Sequence, residues 1–151
     1  MKVPFCDLAI QHKKLRSEIN SSIKRVINNS AFILGPEVAS FEREFSNYLG
    51  VNHFIGTSNG TSALMVAMKA LGIAINDEVI LPAMSFYASA EAVAFIGAKP
   101  VFVDIDPLTF NIDIRQIEKK ITNKTKLILP VHLYGYPANL DEINKIAKKI
   151  N

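Results

Sequence analysis

The sequence predicts an α/β protein built on a parallel sheet, with a helical arm at its N-terminus. Three observations carry that expectation. From His53 onward, short apolar segments alternate with helix-patterned ones, the order that builds a parallel sheet with crossover helices. The short segments are apolar throughout, as strands are when both faces of their sheet are covered. Before them the chain shows only helical periodicity. The change of rhythm divides the sequence into an arm, residues 1–50, and an α/β body, residues 51–151.

The elements follow in order. Leu15, Ile19, Ile23, Val26 and Ile27 recur at helical spacing and predict a helix over residues 11–28. A second helix opens at Gly35-Pro36, where proline suits the first turn. It carries Val38, Phe41, Phe45 and Leu49 on one face and stops at Gly50. The body begins with a strand over residues 53–57, then a helix over 61–71 closed by Gly72. A second strand spans 78–81, followed by a largely apolar helix over 85–96 that Gly97 ends. The third strand covers 100–104. Asp113, with Gln116 three residues on, has the spacing of a capping box at the next helix. The fourth strand covers 126–133, and Asn139 caps the last helix with Glu142 three residues on.

Composition narrows the function classes. The chain has 151 residues, is 49% hydrophobic and 21% charged, and carries a net charge of +3. That is one domain's worth of chain, able to bury roughly two-thirds of its unfolded surface, and too apolar for disorder. Cys6 is the only cysteine, which excludes a disulfide scaffold. So small a positive charge, spread along the chain, calls for no nucleic-acid partner. The longest apolar stretch, residues 63–75, is broken by Lys69 and Gly72, so no membrane span is expected. Asp7 and Gln11 interrupt the segment where a secretory signal needs an unbroken apolar core. The expectation is a soluble cytoplasmic chain. Its mean hydropathy of +0.19 suggests that part of its surface meets something else.

In parallel α/β sheets, ligands bind beyond the carboxyl ends of the strands. The first such end carries Gly56-Thr57-Ser58-Asn59-Gly60-Thr61, leading directly into a helix. Small residues there let backbone N–H groups reach an anion, and the helix N-terminus adds partial positive charge. The competing reading is a tight turn capped by Ser and Thr. A phosphate-binding P-loop is excluded because no Gly-Lys-Ser/Thr follows, and the Gly56–Gly60 spacing does not fit the dinucleotide fingerprint. The same segment also matches the G-x-S-x-G nucleophile elbow, with Ser58 as nucleophile and Asp104 or Asp106 and His132 following in hydrolase order. Against the hydrolase, only helices precede Ser58, where an elbow normally has strands upstream to supply an oxyanion loop.

At the second strand end, Phe86 enters a helix, where it either stacks on a flat cofactor ring or belongs to the core. Asp104 and Asp106 at the third end read as turn residues, because no His or Cys cluster accompanies them as metal ligands. His132, at the fourth end, is open to a role near a cofactor or to a structural one.

Five segments, taken together and in order, carry a resemblance. They are GPEVASFEREFSNYLGV at 35–51, SNGTSAL at 58–64, DEVILPAMSFYAS at 77–89, GAKPVFVDIDP at 97–107 and PVHLYG at 130–135. The chain resembles the DegT/DnrJ/EryC1/StrS family of pyridoxal-phosphate (PLP)-dependent sugar aminotransferases over essentially its whole length. The implied fold is the N-terminal part of the fold-type I PLP-transferase large domain, a parallel-strand α/β/α sandwich, preceded by the helical arm. By the same resemblance, Gly60 and Thr61 bind the cofactor phosphate and Phe86 stacks on the pyridine ring. Ser85 stands where the family usually has threonine. Asn76 stands where it often has glycine, and Asn tolerates a left-handed backbone.

The resemblance also implies substrates: a nucleotide-linked keto-sugar and glutamate as amino donor, with active sites assembled across a homodimer. Transamination needs a lysine to hold the cofactor and move the proton, and a carboxylate to keep the pyridine nitrogen protonated. In the family both follow the segment matching residues 139–151. Lys69, Lys99, Lys124 and Lys126 do not project from a strand's carboxyl end. The expectation is therefore an N-terminal portion with no catalytic residue of its own, inactive alone and binding PLP weakly or not at all. A sugar dehydratase of the same family differs at the lysine position, so these residues do not separate the two. The alternatives are a truncated or split-enzyme module without catalysis, and the serine hydrolase using Ser58.

Overall fold

The computed structural model describes residues 3–150. The chain divides into two units, Met1–Gly56 and Thr57–Asn151.

In the first unit, α1 spans Ala9–Asn28 and α2 spans Pro36–Leu49. Helix α1 begins slightly before its apolar repeat, because the Asp7 carboxylate accepts the N–H of Ala9 at 2.9 Å and satisfies an end donor. Gly50 closes α2 at φ +67°, as the sequence predicts. The Arg25 guanidinium grips both oxygens of Glu37, Nε to Oε1 at 2.6 Å and Nη2 to Oε2 at 3.2 Å, which joins the end of one helix to the start of the next. Leu15, Ile19, Ile23 and Ile27 form the expected stripe on α1 and remain 38–55% exposed.

The predicted strand over residues 53–57 does not form. A strand needs a neighbour for its backbone groups, and among the described residues no strand lies beside this segment. The N–H of Gly56 donates to Glu42 Oε1 on α2 at 2.7 Å. The Phe54 ring packs against Phe41 and Phe45 of α2, with centroids 5.5 and 4.8 Å away. Ile55 is left 74% exposed.

The second unit holds α3 (Gly60–Ala70), β1 (Glu78–Pro82), α4 (Ala88–Phe95), β2 (Lys99–Val103), α5 (Ile114–Lys120), β3 (Thr125–Ile128), a 3₁₀ turn (Leu133–Gly135) and α6 (Leu140–Ala147). The sheet is parallel with order β2-β1-β3. Ile80 of β1 lies opposite Val101 on one side and Ile128 on the other. Every residue of β1 is buried, as a central strand without alternation requires.

Successive β1 side chains point to opposite faces, and each face has its own core. Ile80 joins Val103, Ile117, Ile128, Ile143 and Ile146, under α5 and α6. Val79 joins Met68, Ala92, Val93 and Ile96, under α3 and α4. The result is the three-layer α/β/α arrangement.

Local departures have local causes. β3 stops at Ile128 although the apolar run continues to Leu133, because Pro130 has no N–H to give a ladder. Helix α4 starts at Ala88, later than predicted, and the Phe86 carbonyl accepts the N–H of Ser89 at 3.0 Å. Asn76 takes φ +69°, the left-handed turn its side chain tolerates. At the amino edge of the sheet, Glu78 is only 6% exposed. Its carboxylate accepts Thr122 Oγ1 at 2.6 Å and Lys99 Nζ at 3.0 Å. Those two bonds, that from Thr122 first, hold the carboxyl below its usual range and tie all three strand starts together.

Candidate functional site

Helix α3 enters β1 through the short turn 71–77, so its N-terminus lies at the opposite, carboxyl edge of the sheet. Its 11 residues span about 16 Å, close to the length of a five-residue strand.

At that N-terminus Asn59 is the cap: its Oδ1 accepts the N–H of Ser62 at 2.9 Å and its carbonyl accepts that of Ala63 at 3.0 Å. The Ser58 and Ser62 hydroxyls bond each other at 3.0 Å, and Thr57 Oγ1 donates to the Asn59 carbonyl at 3.1 Å. The loop is capped, but by Asn59 and not by the expected Ser or Thr, and the cap uses only the later end donors. Among the described residues, the N–H groups of Gly60 and Thr61 have no hydrogen-bond partner. A Cβ built on Gly60 would meet no atom within 4 Å, and the first turn of α3 carries no acidic residue. Two free N–H groups, an open approach and a positive helix end are the donor set an oxyanion wants.

Phe86 follows the carboxyl end of β1 and is 78% exposed, so the core reading of this ring is incorrect. Its backbone is held: Ser85 Oγ donates to the Phe86 carbonyl at 3.1 Å and to Ser89 Oγ at 3.0 Å. His132 follows β3, the parallel neighbour of β1, and its Nδ1 accepts the N–H of Ala138 at 3.0 Å.

The turn reading of the acidic pair also holds. Asp106 Oδ1 accepts the N–H groups of Leu108 and Thr109 at 2.9 and 3.0 Å, which hold its carboxyl below the usual range. Asp113 caps α5 through Oδ1, which accepts the N–H of Arg115 at 3.1 Å. Gln116 Nε2 donates to the Asp113 carboxylate at 2.9 Å, while the Asp113 N–H that a capping box would give to the Gln116 oxygen donates to the Asp104 carbonyl, a variant of the predicted box. The Arg115 and Gln116 bonds lower the Asp113 carboxyl to about 2.

Ser58 bonds Ser62 and Asn59, and among the described residues no histidine reaches it. The lysines stand elsewhere. Lys69 Nζ reaches the Ile73 and Ile96 carbonyls at 3.5 and 3.4 Å, Lys99 opens β2, and Lys124 and Lys126 sit at the start of β3.

Asn111 escaped the sequence reading. It is 6% exposed, and its Nδ2 donates to the carbonyls of Tyr136 and Pro137 at 3.1 Å each, clasping the segment after His132. An asparagine in a loop carries no sequence signal for so distant a contact. It lines a cleft of about 480 Å³ with Asp106, Arg115, Tyr136 and Glu142, one that does not include Gly60, Thr61 or Phe86. No helix among the described residues is long and apolar enough to cross a membrane.

Comparison with known proteins adds to this geometry. The profile of the DegT/DnrJ/EryC1/StrS aminotransferase family matches residues 13–151. The UDP-2-acetamido-2-deoxy-3-oxo-D-glucuronate aminotransferase of Pseudomonas aeruginosa is 45% identical over 97% of this chain and 41% of its own length. The dTDP-3-amino-3,6-dideoxy-alpha-D-galactopyranose transaminase of Aneurinibacillus thermoaerophilus is 44% identical over 99% of this chain and 41% of its own. Among solved structures, S. venezuelae DesV superposes with a TM-score of 0.94 at 40% identity, over 98% of this chain and 40% of that one. NtdA from Bacillus subtilis, solved with bound cofactor PMP, gives 0.92 at 42% identity, over 98% of this chain and 34% of that one. The chain spans about 40% of the length of the curated relatives it matches.

Proposed function

This chain belongs to the DegT/DnrJ/EryC1/StrS aminotransferase family, and from that premise we propose that it forms the N-terminal part of a PLP-dependent aminotransferase acting on a nucleotide-linked keto-sugar. The observation that carries the reading is the pair of unpartnered N–H groups at Gly60 and Thr61, on the same sheet edge as the exposed Phe86 ring. The fit is chemical: an oxyanion suits the helix end, and a flat heteroaromatic ring suits Phe86.

When bound, the cofactor supplies the electron sink through which an amino group passes between an amino acid and a ketone. Gly60 and Thr61 hold the phosphate by backbone donors that the fold fixes before binding. Phe86 covers one ring face and excludes water from it. Glutamate is the proposed amino donor, and a homodimer the proposed working form.

Of the body's lysines near the strands, Lys99, Lys124 and Lys126 lie at the amino edge of the sheet, and Lys69 is engaged with the Ile73 and Ile96 carbonyls. These residues therefore bind and orient without providing the group that moves the proton, and the 151-residue chain alone is expected not to turn over. The test is titration of the ¹⁵N-labelled chain with pyridoxamine 5′-phosphate (PMP), with a keto-sugar and glutamate assay beside it. Shifts at the Gly60 and Thr61 amides and the Phe86 ring, weakened in Phe86→Ala, support the reading. Weak binding in the millimolar range is the expected outcome; an absence of shifts at millimolar ligand in the folded chain refutes the assignment of the phosphate to these donors, and turnover by the chain alone refutes the division of labour.

A further inference from the structure

A backbone amide only donates, so the Ala138 N–H at 3.0 Å fixes His132 Nδ1 as an acceptor. In the neutral ring the proton then sits on Nε2. His132 is exposed, and among the described residues nothing partners Nε2. The second nitrogen of this exposed ring is left open to whatever occupies this edge of the sheet.

The placement is equally specific. β3 and β1 are parallel neighbours with Ile128 opposite Ile80, so the segments leaving them, one to His132 and the other to Phe86, emerge at the same carboxyl edge. The segment after His132 is fastened at several points. The N–H of Gly135 donates to the His132 carbonyl at 3.1 Å and that of Tyr136 to the Leu133 carbonyl at 3.0 Å. Asn111 clasps the Tyr136 and Pro137 carbonyls. Tyr134 and Gly135 take φ +51° and +82°, and for Tyr134 that left-handed backbone is unfavourable unless its surroundings enforce it. One bond thus fixes the imidazole directly, and the two Asn111 bonds fasten the segment that supplies its Ala138 partner.

We propose that His132 is a binding residue whose Nε2–H donates a hydrogen bond to an oxygen of the ligand held at this edge. The proposal rests on the cofactor reading above. Nδ1 works inward as a staple, and Nε2 works outward on the ligand.

Two substitutions separate those halves. Asparagine places an amide oxygen near the Nδ1 position, and glutamine places an amide group near the Nε2 position. His132→Asn keeps the staple and removes the donor; His132→Gln keeps the donor and removes the staple. With PMP as probe, His132→Asn is expected to weaken binding about fivefold, the worth of one ordinary hydrogen bond, with an unchanged melting temperature. His132→Gln is expected to melt earlier while binding PMP within about threefold of the parent, because a donor near the Nε2 position remains. In the parent chain, ¹⁵N spectra of the ring are expected to show a bare Nδ1 and a protonated Nε2 that shifts on PMP addition. Parent-like PMP binding by His132→Asn, or a protonated Nδ1, overturns the proposal while leaving the cofactor reading intact. Failure of the parent's Gly60 and Thr61 amides to respond to PMP overturns the cofactor reading, and this proposal with it.

Discussion

Replacing Gly60 with alanine separates binding from folding. Gly60 is the first residue of α3, and a Cβ there meets no protein atom within 4 Å. Helical Cα–Cβ bonds tilt toward the helix N-terminus, so the new methyl stands in the approach to the free N–H groups and nowhere else. Folding therefore loses nothing. Alanine is the better helix former by up to about 1 kcal/mol in a helix interior, and less at an end, so stability is expected to stay level or rise by a few tenths of a kcal/mol. Binding loses the close approach of an anion to one backbone donor. A hydrogen bond to a charged group is worth about 1.5–3 kcal/mol, so PMP affinity is expected to fall roughly tenfold to a hundredfold. Urea unfolding followed by circular dichroism measures the first quantity, and a ¹⁵N titration with PMP the second. Unchanged affinity with intact folding refutes the assignment of the phosphate to this helix end. A stability loss above about 1 kcal/mol refutes the claim that the space at Gly60 is open.

Two further perturbations test the scaffold. Gly97 sits at φ +84°, and a Cβ there comes within 2.9 Å of Ile75 Cγ1, whereas Gly72 at φ +81° has nothing within 4 Å. Gly72→Ala is expected to cost about 1 kcal/mol from the left-handed backbone alone, and Gly97→Ala about 1–3 kcal/mol more from the contact; equal urea midpoints contradict this. The Asp113 carboxyl titrates at about 2 in the folded chain and near 3.9 unfolded. Its contribution is therefore present above about pH 4 and lost as pH falls toward 2. Asp113→Asn is expected to flatten the acid limb of a stability-against-pH curve over that window, and an unchanged slope contradicts it.

The sequence was most legible where a residue's meaning is local. Gly50 ending a helix, Asp113 and Asn139 capping helices and Asp106 opening a turn all concern groups a few residues apart, and all are seen. The apolar runs of β1, β2 and β3 were legible because a two-sided core leaves an unbroken apolar signature. The segment at 53–57 carries the same signature and misled, because apolar content reports burial potential and not partnership. Phe54 satisfies that potential against rings on α2, and the backbone never meets a strand. At the site, the loop chemistry of Ser58 to Thr61 was visible in residue types, but that a cap and two free donors coexist there was seen only in the structure.

By itself the sequence determined the order of the helices and of β1 to β3, most helix ends and the family, because periodicity, capping residues and ordered motifs are properties of neighbouring residues. Only the tertiary structure decided that β1 is the middle strand, that Phe86 stands in solvent, that Asn111 clasps a loop distant in sequence, and which nitrogen of His132 faces inward. Each of those depends on which groups meet across the fold, and a hydrogen bond or a packed face has no owner until both partners are in place.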